Sequence, residues 1–453
     1  MYRSEYHAAV ALPQIERRPE VRGKKISVVC NNGIDLNPGR ASEHLALDAI
    51  AVRHGYTQLK YFELTSPEDN YDWFRKLQPK YPQIDLASIK SDYGEFYEGF
   101  PIRYERLLGR LDELVASDAI LYWSDWLHLR HFYDHYKRCL TETSIAKSEQ
   151  EAISLIDSHI FLADQPDEVL GKTISFGQTI MFNTLRHETT PDYGAAYRSF
   201  YGRARKAYMR DVFSARKVAR LRSDYSDNNT SVDCAMLLKD EDVDRMSRSA
   251  SPQELAFCRD KIAVFFGRSN IDVSDILSVV GMLSDELKRP AFALPWGLPS
   301  LIAFPQTKTL PFPAPAGGSR RFIKVGDSLA MIAAAGVVVT DTYHVAVNAW
   351  ARGVPAICVG SILAKSEFDA NSGYRFSCID KRYSLYEMIE ALDFYVHEEE
   401  LRDAGFLKAH LRHIAEMIDT PAFTRQIVSG LRSEAAAAEA RLVRELDGIL
   451  SAA

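Results

Sequence analysis

One histidine stands where acid–base chemistry would be expected. The apolar run Gly336-Val337-Val338-Val339-Thr340 is followed by Asp341-Thr342-Tyr343-His344, then by a helical pattern to Arg352 and a Gly353-Val354-Pro355 turn. The run predicts a buried parallel strand, and its polar tip would lie at the carboxyl end, where open α/β sheets bind ligands. The tip also opens a helix, whose free N–H groups attract anions. An imidazole exchanges protons near neutral pH, so His344 is the candidate general acid. Asp341, Thr342 and Tyr343 are candidate donor-binding residues beside it. The competing reading makes Asp341 or Thr342 a helix cap and His344 a solvated side chain.

A second cluster follows another apolar run, Ser117 to Trp123: Ser124, Asp125, Trp126, His128, Arg130, His131 and His135. Trp123 and Trp126 could stack on a sugar, His128 could contact the same acceptor, and Asp125 could act as a base or accept from a hydroxyl. If a helix begins at His128, then His128, His131 and His135 share one face, but no carboxylate spacing completes a metal site. Packing in a core is the competing role for the aromatics, and for Trp123 the favoured one. Candidate cations for an anionic donor are Arg268, after the apolar run 261–266, and Arg320, Arg321 and Lys324, ahead of the histidine strand. Gly39-Arg40-Ala41-Ser42-Glu43-His44 could form a third lip, with Arg40 toward the acceptor and Glu43 in a capping box.

The elements that must hold these residues alternate. Strands are expected at 24–30, 61–64, 117–123, 160–162 and 173–177, with helices over 41–53 and 128–140. A polar, turn-rich stretch and the charged run Lys239 to Arg248 place a domain boundary near 240–258. The alternation then restarts: strand 261–266, helix 273–287, strand 290–294, helix 328–335, strand 336–340, helix 344–352, strand 355–359. Two successive arrays of this kind predict an α/β protein of two Rossmann-like domains facing a cleft. The expected division is an arm over 1–22, a first domain over 23–245, a second over 246–400, and C-terminal helices over 401–453 that cross back toward the first domain.

Composition bounds the function. The chain has 453 residues, 46% hydrophobic and 26% charged, enough apolar surface for two cores. Lys and Arg total 55 against 61 Asp and Glu, so nothing suggests nucleic-acid binding. Six cysteines occur without a C-x-x-C pair, which argues against a disulfide scaffold and a cysteine zinc site. No structural or obligatory metal and no cofactor is expected. No P-loop, G-x-G-x-x-G, H-E-x-x-H or G-x-S-x-G is present. The N-terminus shows no signal-peptide pattern, and the longest apolar run, Leu329 to Val339, is too short to span a membrane, so a cytoplasmic setting is expected.

The histidine segment, with its Gly-Val-Pro turn, resembles the polysaccharide pyruvyl transferase family. Three further stretches are similar to that family in order and spacing: Gly177-Gln178-Thr179, Arg210-Asp211-Val212-Phe213-Ser214, and Asp233-Cys234-Ala235-Met236-Leu237-Leu238. Asn31 to Asp35 resembles the family's N-terminal Asn-x-Gly-Asp loop, which implies an acceptor role for Asp35. The resemblance covers about residues 170–360 and implies a GT-B-like fold. It also implies transfer of a pyruvate ketal from phosphoenolpyruvate to a sugar of a cell-surface polysaccharide precursor, free or lipid-linked. Two alternatives stay open. One is a nucleotide-sugar glycosyltransferase on the same architecture, with the diphosphate on the helix start at 341–345. The other is a non-catalytic binding protein on that fold.

Overall fold

The computed structural model describes residues 23–31, 37–66, 69, 100–124, 126–222, 229–246, 250–267, 272–296, 309–311, 324–362 and 379–452. Six strands form the first sheet: β1 Lys25–Val29, β2 Gln58–Glu63, β3 Tyr104–Arg106, β4 Ala119–Trp123, β5 Thr173–Gln178 and β6 Lys206–Met209. Their order is β3-β2-β1-β4-β5-β6, and every pairing is parallel. Five more form the second sheet: β7 Ile262–Phe265, β8 Ala291–Ala293, β9 Val337–Thr340, β10 Ala356–Gly360 and β11 Tyr395–His397. They run β11-β10-β9-β7-β8, again all parallel. Both orders are Rossmann-like. The strand order reverses between β1 and β4 in the first sheet and between β7 and β9 in the second, the points where such sheets bind ligands. Two Rossmann-like domains meeting at the carboxyl ends of their strands give a GT-B-like architecture.

The central strands are short and buried on both faces, so they carry continuous apolar runs rather than alternation. All of Val337–Thr340 and all of Ala119–Trp123 are buried. The helix Pro38–His54 follows β1. Asn37 caps it by accepting from the Gly39 N–H at 2.9 Å, Pro38 fits the first turn, and Gly55 closes it at φ 78°. Together these set the helix wider than apolar periodicity alone indicated.

Some expected elements differ. Ile160-Phe161-Leu162 is not a strand: it leaves the helix Glu149–His159 as a buried turn in the apolar core on one face of the first sheet. Its apolar residues satisfy burial without a ladder, which period-two reasoning cannot tell from a strand. The helix expected from His128 starts at Arg130, because Trp126 to His128 form a turn first. The edge strands β3, β6 and β11 were not expected. They have three, four and three residues, too few for a clear pattern.

The helix Pro421–Leu450 crosses from the second domain to the first. Glu439 accepts from Arg53 Nε at 3.1 Å and lies 3.0 Å from His54 Nε2, and the Tyr56 hydroxyl donates to Asp447 at 2.9 Å. Burial alone would raise the Glu439 carboxyl, but the His54 hydrogen bond and Arg53 overcome it and hold it at about 2. A depressed carboxyl stabilises the fold above its unfolded value near 4.3, and that contribution fades as pH falls through the folded value. Glu439→Gln should therefore lower stability by about 1–2 kcal/mol at pH 7, below the full shift because water screens part of the cluster. The deficit should shrink between pH 4 and pH 2, measured by urea titration. Among the described residues, no helix is long and apolar enough to cross a membrane.

Candidate functional site

His344 is the second residue of the helix Tyr343–Ala351, directly after β9, and it packs onto the first domain. A Cβ on Gly39 would stand 2.3 Å from the His344 Cβ, so glycine is what lets the two helix starts meet. Asn348 fixes the contact from both sides. Its amide donates to the His344 carbonyl at 2.8 Å and to the Ser42 hydroxyl of the first domain at 3.1 Å.

Three charged side chains from distant segments surround the imidazole, all buried. His344 Nε2 lies 3.5 Å from Glu43 Oε1 and 3.7 Å from Asp233 Oδ2. Arg210 Nη1 lies 3.1 Å from Asp233 Oδ2 and 3.7 Å from Glu43 Oε1. Glu43 comes from the Pro38–His54 helix, Arg210 from the end of β6, and Asp233 caps the short 3-10 turn Cys234–Leu237 by accepting from the Ala235 N–H at 3.0 Å. Burial and then the neighbouring Glu43 push the Asp233 carboxyl up, and His344 and Arg210 offset this only in part. Such a carboxyl, beside a second carboxylate and an imidazole, forms a set that can hold and pass protons.

Two members of the cluster, Arg210 and Asp233, also line a small cleft of about 20 Å³ together with Tyr343, Lys381, Ser384, Glu434 and apolar neighbours. Lys381 lies 4.1 Å from the Trp126 ring centre and 4.8 Å from that of Tyr343, bridging the domains. The Arg210 guanidinium packs 4.9 Å from the Tyr343 ring centre.

The segments singled out in the sequence converge here. The Thr179 hydroxyl donates to Asp211 at 2.6 Å, Arg210 pairs with Asp233, and Asp233 faces His344. Gly177 has φ 71°, and a Cβ there would stand 2.2 Å from the Cys234 sulfur, so that strand end needs glycine twice over. Tyr343 lines the cleft as well, and Trp126 reaches it only through Lys381.

Other candidates lie elsewhere. His128 is fully buried, with Nδ1 at 3.0 Å from the Tyr201 hydroxyl and Nε2 at 3.0 Å from the Ile160 carbonyl. Burial pushes its imidazole down to about 3, so it is a neutral core residue, not an acceptor contact, and it shares no helical face with His131 and His135. Trp123 is fully buried and stacks on Phe176, which corrects its acceptor role. Its indole instead donates to the Glu43 carbonyl at 2.8 Å. Asp341 is buried and accepts from the Gly267 N–H and the Thr342 hydroxyl, each at 2.9 Å, so it braces the strand tip rather than attracting an anion. Arg40 lies 5.9 Å from the Phe132 ring centre, and Lys324 occupies the N-cap position of the helix Val325–Ala334, where its main-chain N–H donates to the Asp327 carboxylate at 3.2 Å. Asp35, Asp125, Arg268, Arg320 and Arg321 fall outside the described residues.

Glu43, Arg210 and Asp233 were not singled out as catalytic. Arg210 and Asp233 sat within the quoted stretches, and Glu43 read as a cap residue. Their common signal, a charge beside small or apolar residues, is also that of an ordinary ion pair.

Among the described residues, Glu43, Asp233 and His344 have donor atoms within 4.8 Å of one another, a group that sequence spacing did not reveal. Arg210 lies against two of the three and already supplies the compensating charge, which opposes a divalent ion there. Dialysis against a chelator should leave the melting temperature and activity unchanged, and stoichiometric metal by elemental analysis would contradict this.

No family profile matches this sequence, and no curated protein matches it. Solved structures do resemble it in shape. The UDP-GlcNAc 2-epimerase from Neisseria meningitidis bound to UDP-GlcNAc is 8% identical, covers 93% of this chain and 99% of its own, and has a TM-score of 0.48. The UDP-GlcNAc 2-epimerase of Methanocaldococcus jannaschii in complex with UDP-GlcNAc and UDP is 9% identical, with coverage of 87% and 99% and a TM-score of 0.41. The calicheamicin glycosyltransferase CalG4 is 12% identical, with coverage of 94% and 98% and a TM-score of 0.42. At these values the likeness assigns no family.

Proposed function

We propose that the chain is a transferase of the polysaccharide pyruvyl transferase type, moving the pyruvate unit of phosphoenolpyruvate onto a sugar of a polysaccharide precursor as a ketal. One observation carries this reading. The stretches that resemble the family, around Gln178, Arg210, Asp233 and His344, are far apart in sequence yet meet at one buried point.

In this reading His344, backed by Asp233, protonates the methylene carbon of the enol. Two sugar hydroxyls add to the resulting cationic carbon, and the C–O bond to phosphate breaks. Of the two hydroxyl protons, one replaces the proton now in the methyl group and the other leaves on phosphate. Glu43 accepts the first from the attacking hydroxyl. Arg210 and Lys381 line the cleft as cations for the donor's carboxylate and phosphate, with Arg268 as a further candidate. Incubation with phosphoenolpyruvate and a saccharide acceptor should release phosphate in proportion to ketal formed. No release with any acceptor would overturn the reading.

A second reading is nucleotide-sugar glycosyl transfer at the same point. The observation behind it is electrostatic: two carboxylates sit beside His344, a lining better suited to sugar hydroxyls than to a dianion. Under that reading UDP or GDP raises the melting temperature and phosphoenolpyruvate does not.

A further inference from the structure

We propose that Ser124 is a positioning residue that aims the Glu43 carboxylate at His344, and that a strained backbone is retained at Ser124 for this purpose. The proposal rests on reading Glu43 and His344 as the proton-transfer pair.

Ser124 follows β4 at the reversal point of the first sheet and has φ 59°, in the left-handed region. Side chains other than glycine enter that region at a cost, and glycine would occupy it freely. The conformation is fixed by its surroundings. The Ser124 N–H donates to the Phe176 carbonyl at 2.9 Å, and its own carbonyl accepts from the Gln178 amide.

What serine supplies and glycine would not is a hydroxyl that donates to Glu43 Oε2 at 3.1 Å. The other oxygen, Oε1, is the one that faces His344 and Arg210. The terminal torsion of a glutamate is broad and nearly two-fold, so burial alone does not choose which way the carboxylate turns. Arg210 would favour a forked, two-oxygen pairing that turns the carboxylate away from the imidazole. The hydroxyl opposes that by holding Oε2 on the first domain. The neighbouring Trp123 indole holds the Glu43 main chain from the same strand tip, so residues 123 and 124 grip Glu43 at both ends.

The test compares Ser124→Gly, which lifts the backbone cost, with Ser124→Ala, which keeps it. Two quantities are measured: kcat/KM across pH, and the imidazole ¹⁵N shifts of His344, assigned by their loss in His344→Ala. Ser124→Gly should melt at or above the wild-type temperature while kcat/KM falls about tenfold or more, chiefly in kcat, with a changed pH profile. In both variants the His344 shifts should move in the direction that Glu43→Gln moves them. Unchanged His344 shifts in both variants, or activity of Ser124→Gly within threefold of wild type, would overturn the proposal. If the shifts move but no phosphoenolpyruvate turnover is found even in wild type, the positioning stands and the pyruvyl reading fails.

Discussion

His344→Ala should lower kcat by on the order of 10²–10⁴ while the protein remains folded, because a positioned general acid contributes that range. The fold survives because the second domain's own core lies beneath the helix that carries His344, and Asn348 still ties that helix to Ser42. The space left against Gly39 should cost about 1–2 kcal/mol, at the low end for loss of a buried side chain at an interface that can close. Donor affinity should change less than turnover, since Arg210 and Lys381 rather than the imidazole would hold the anion. Steady-state kinetics and a thermal melt on the same preparation check both parts. A rate within a factor of about three of wild type is under about one kcal/mol of barrier and would remove His344 from the chemistry.

Arg210→Met should destabilise the protein by about 3–5 kcal/mol, the range for removing one partner of a buried ion pair. The Arg210 side chain is 2% exposed, and its partners Asp233 and Glu43 are 1% and 0% exposed, so no water replaces the lost charge. The loss should depend on pH. Burial and then Glu43 already raise the Asp233 carboxyl in the intact protein, and without Arg210 it rises further. A folded-state value above the unfolded one means the folded form binds more protons in that window. Stability of the variant should then fall as pH rises from the ordinary carboxylate range through the raised value. Asp233→Asn added to Arg210→Met should recover much of the deficit and flatten the pH dependence, since the two residues interact directly. Urea titrations at pH 5 and pH 8 read both effects, and a single variant within about 0.5 kcal/mol of wild type would contradict them.

His344 was legible because its signal is local: an apolar run, a polar tip, a helix and a turn lie in one stretch, and together they imply a strand end. The restart of strand–helix alternation near residue 260 exposed the two-domain plan for the same reason. Glu43 was not legible. As the sixth residue of the helix Pro38–His54, in a stretch that reads as a capping box, the glutamate has the appearance of a cap, and its burial depends on Gly39 letting a helix 300 residues later come close. Arg210 and Asp233 become chemically interesting only as a pair beside His344, a relation that spacing cannot express. His128 misled in the opposite sense. A histidine after a strand reads as exposed, but the turn at 126–128 folds it inward, where Tyr201 and the Ile160 carbonyl occupy both ring nitrogens.

The returning helix Pro421–Leu450 sets a schedule for synthesis. Tyr56 reaches its partner Asp447 across 391 residues of chain. At about 5–20 residues per second, Tyr56 would leave the ribosome roughly 20–80 s before Asp447. Over that interval Arg53, His54 and Tyr56 face solvent or a chaperone instead of Glu439 and Asp447. Truncation before residue 439 would extend that nascent condition indefinitely, so the helix Pro421–Leu450 acts as the closing step of the first domain's folding.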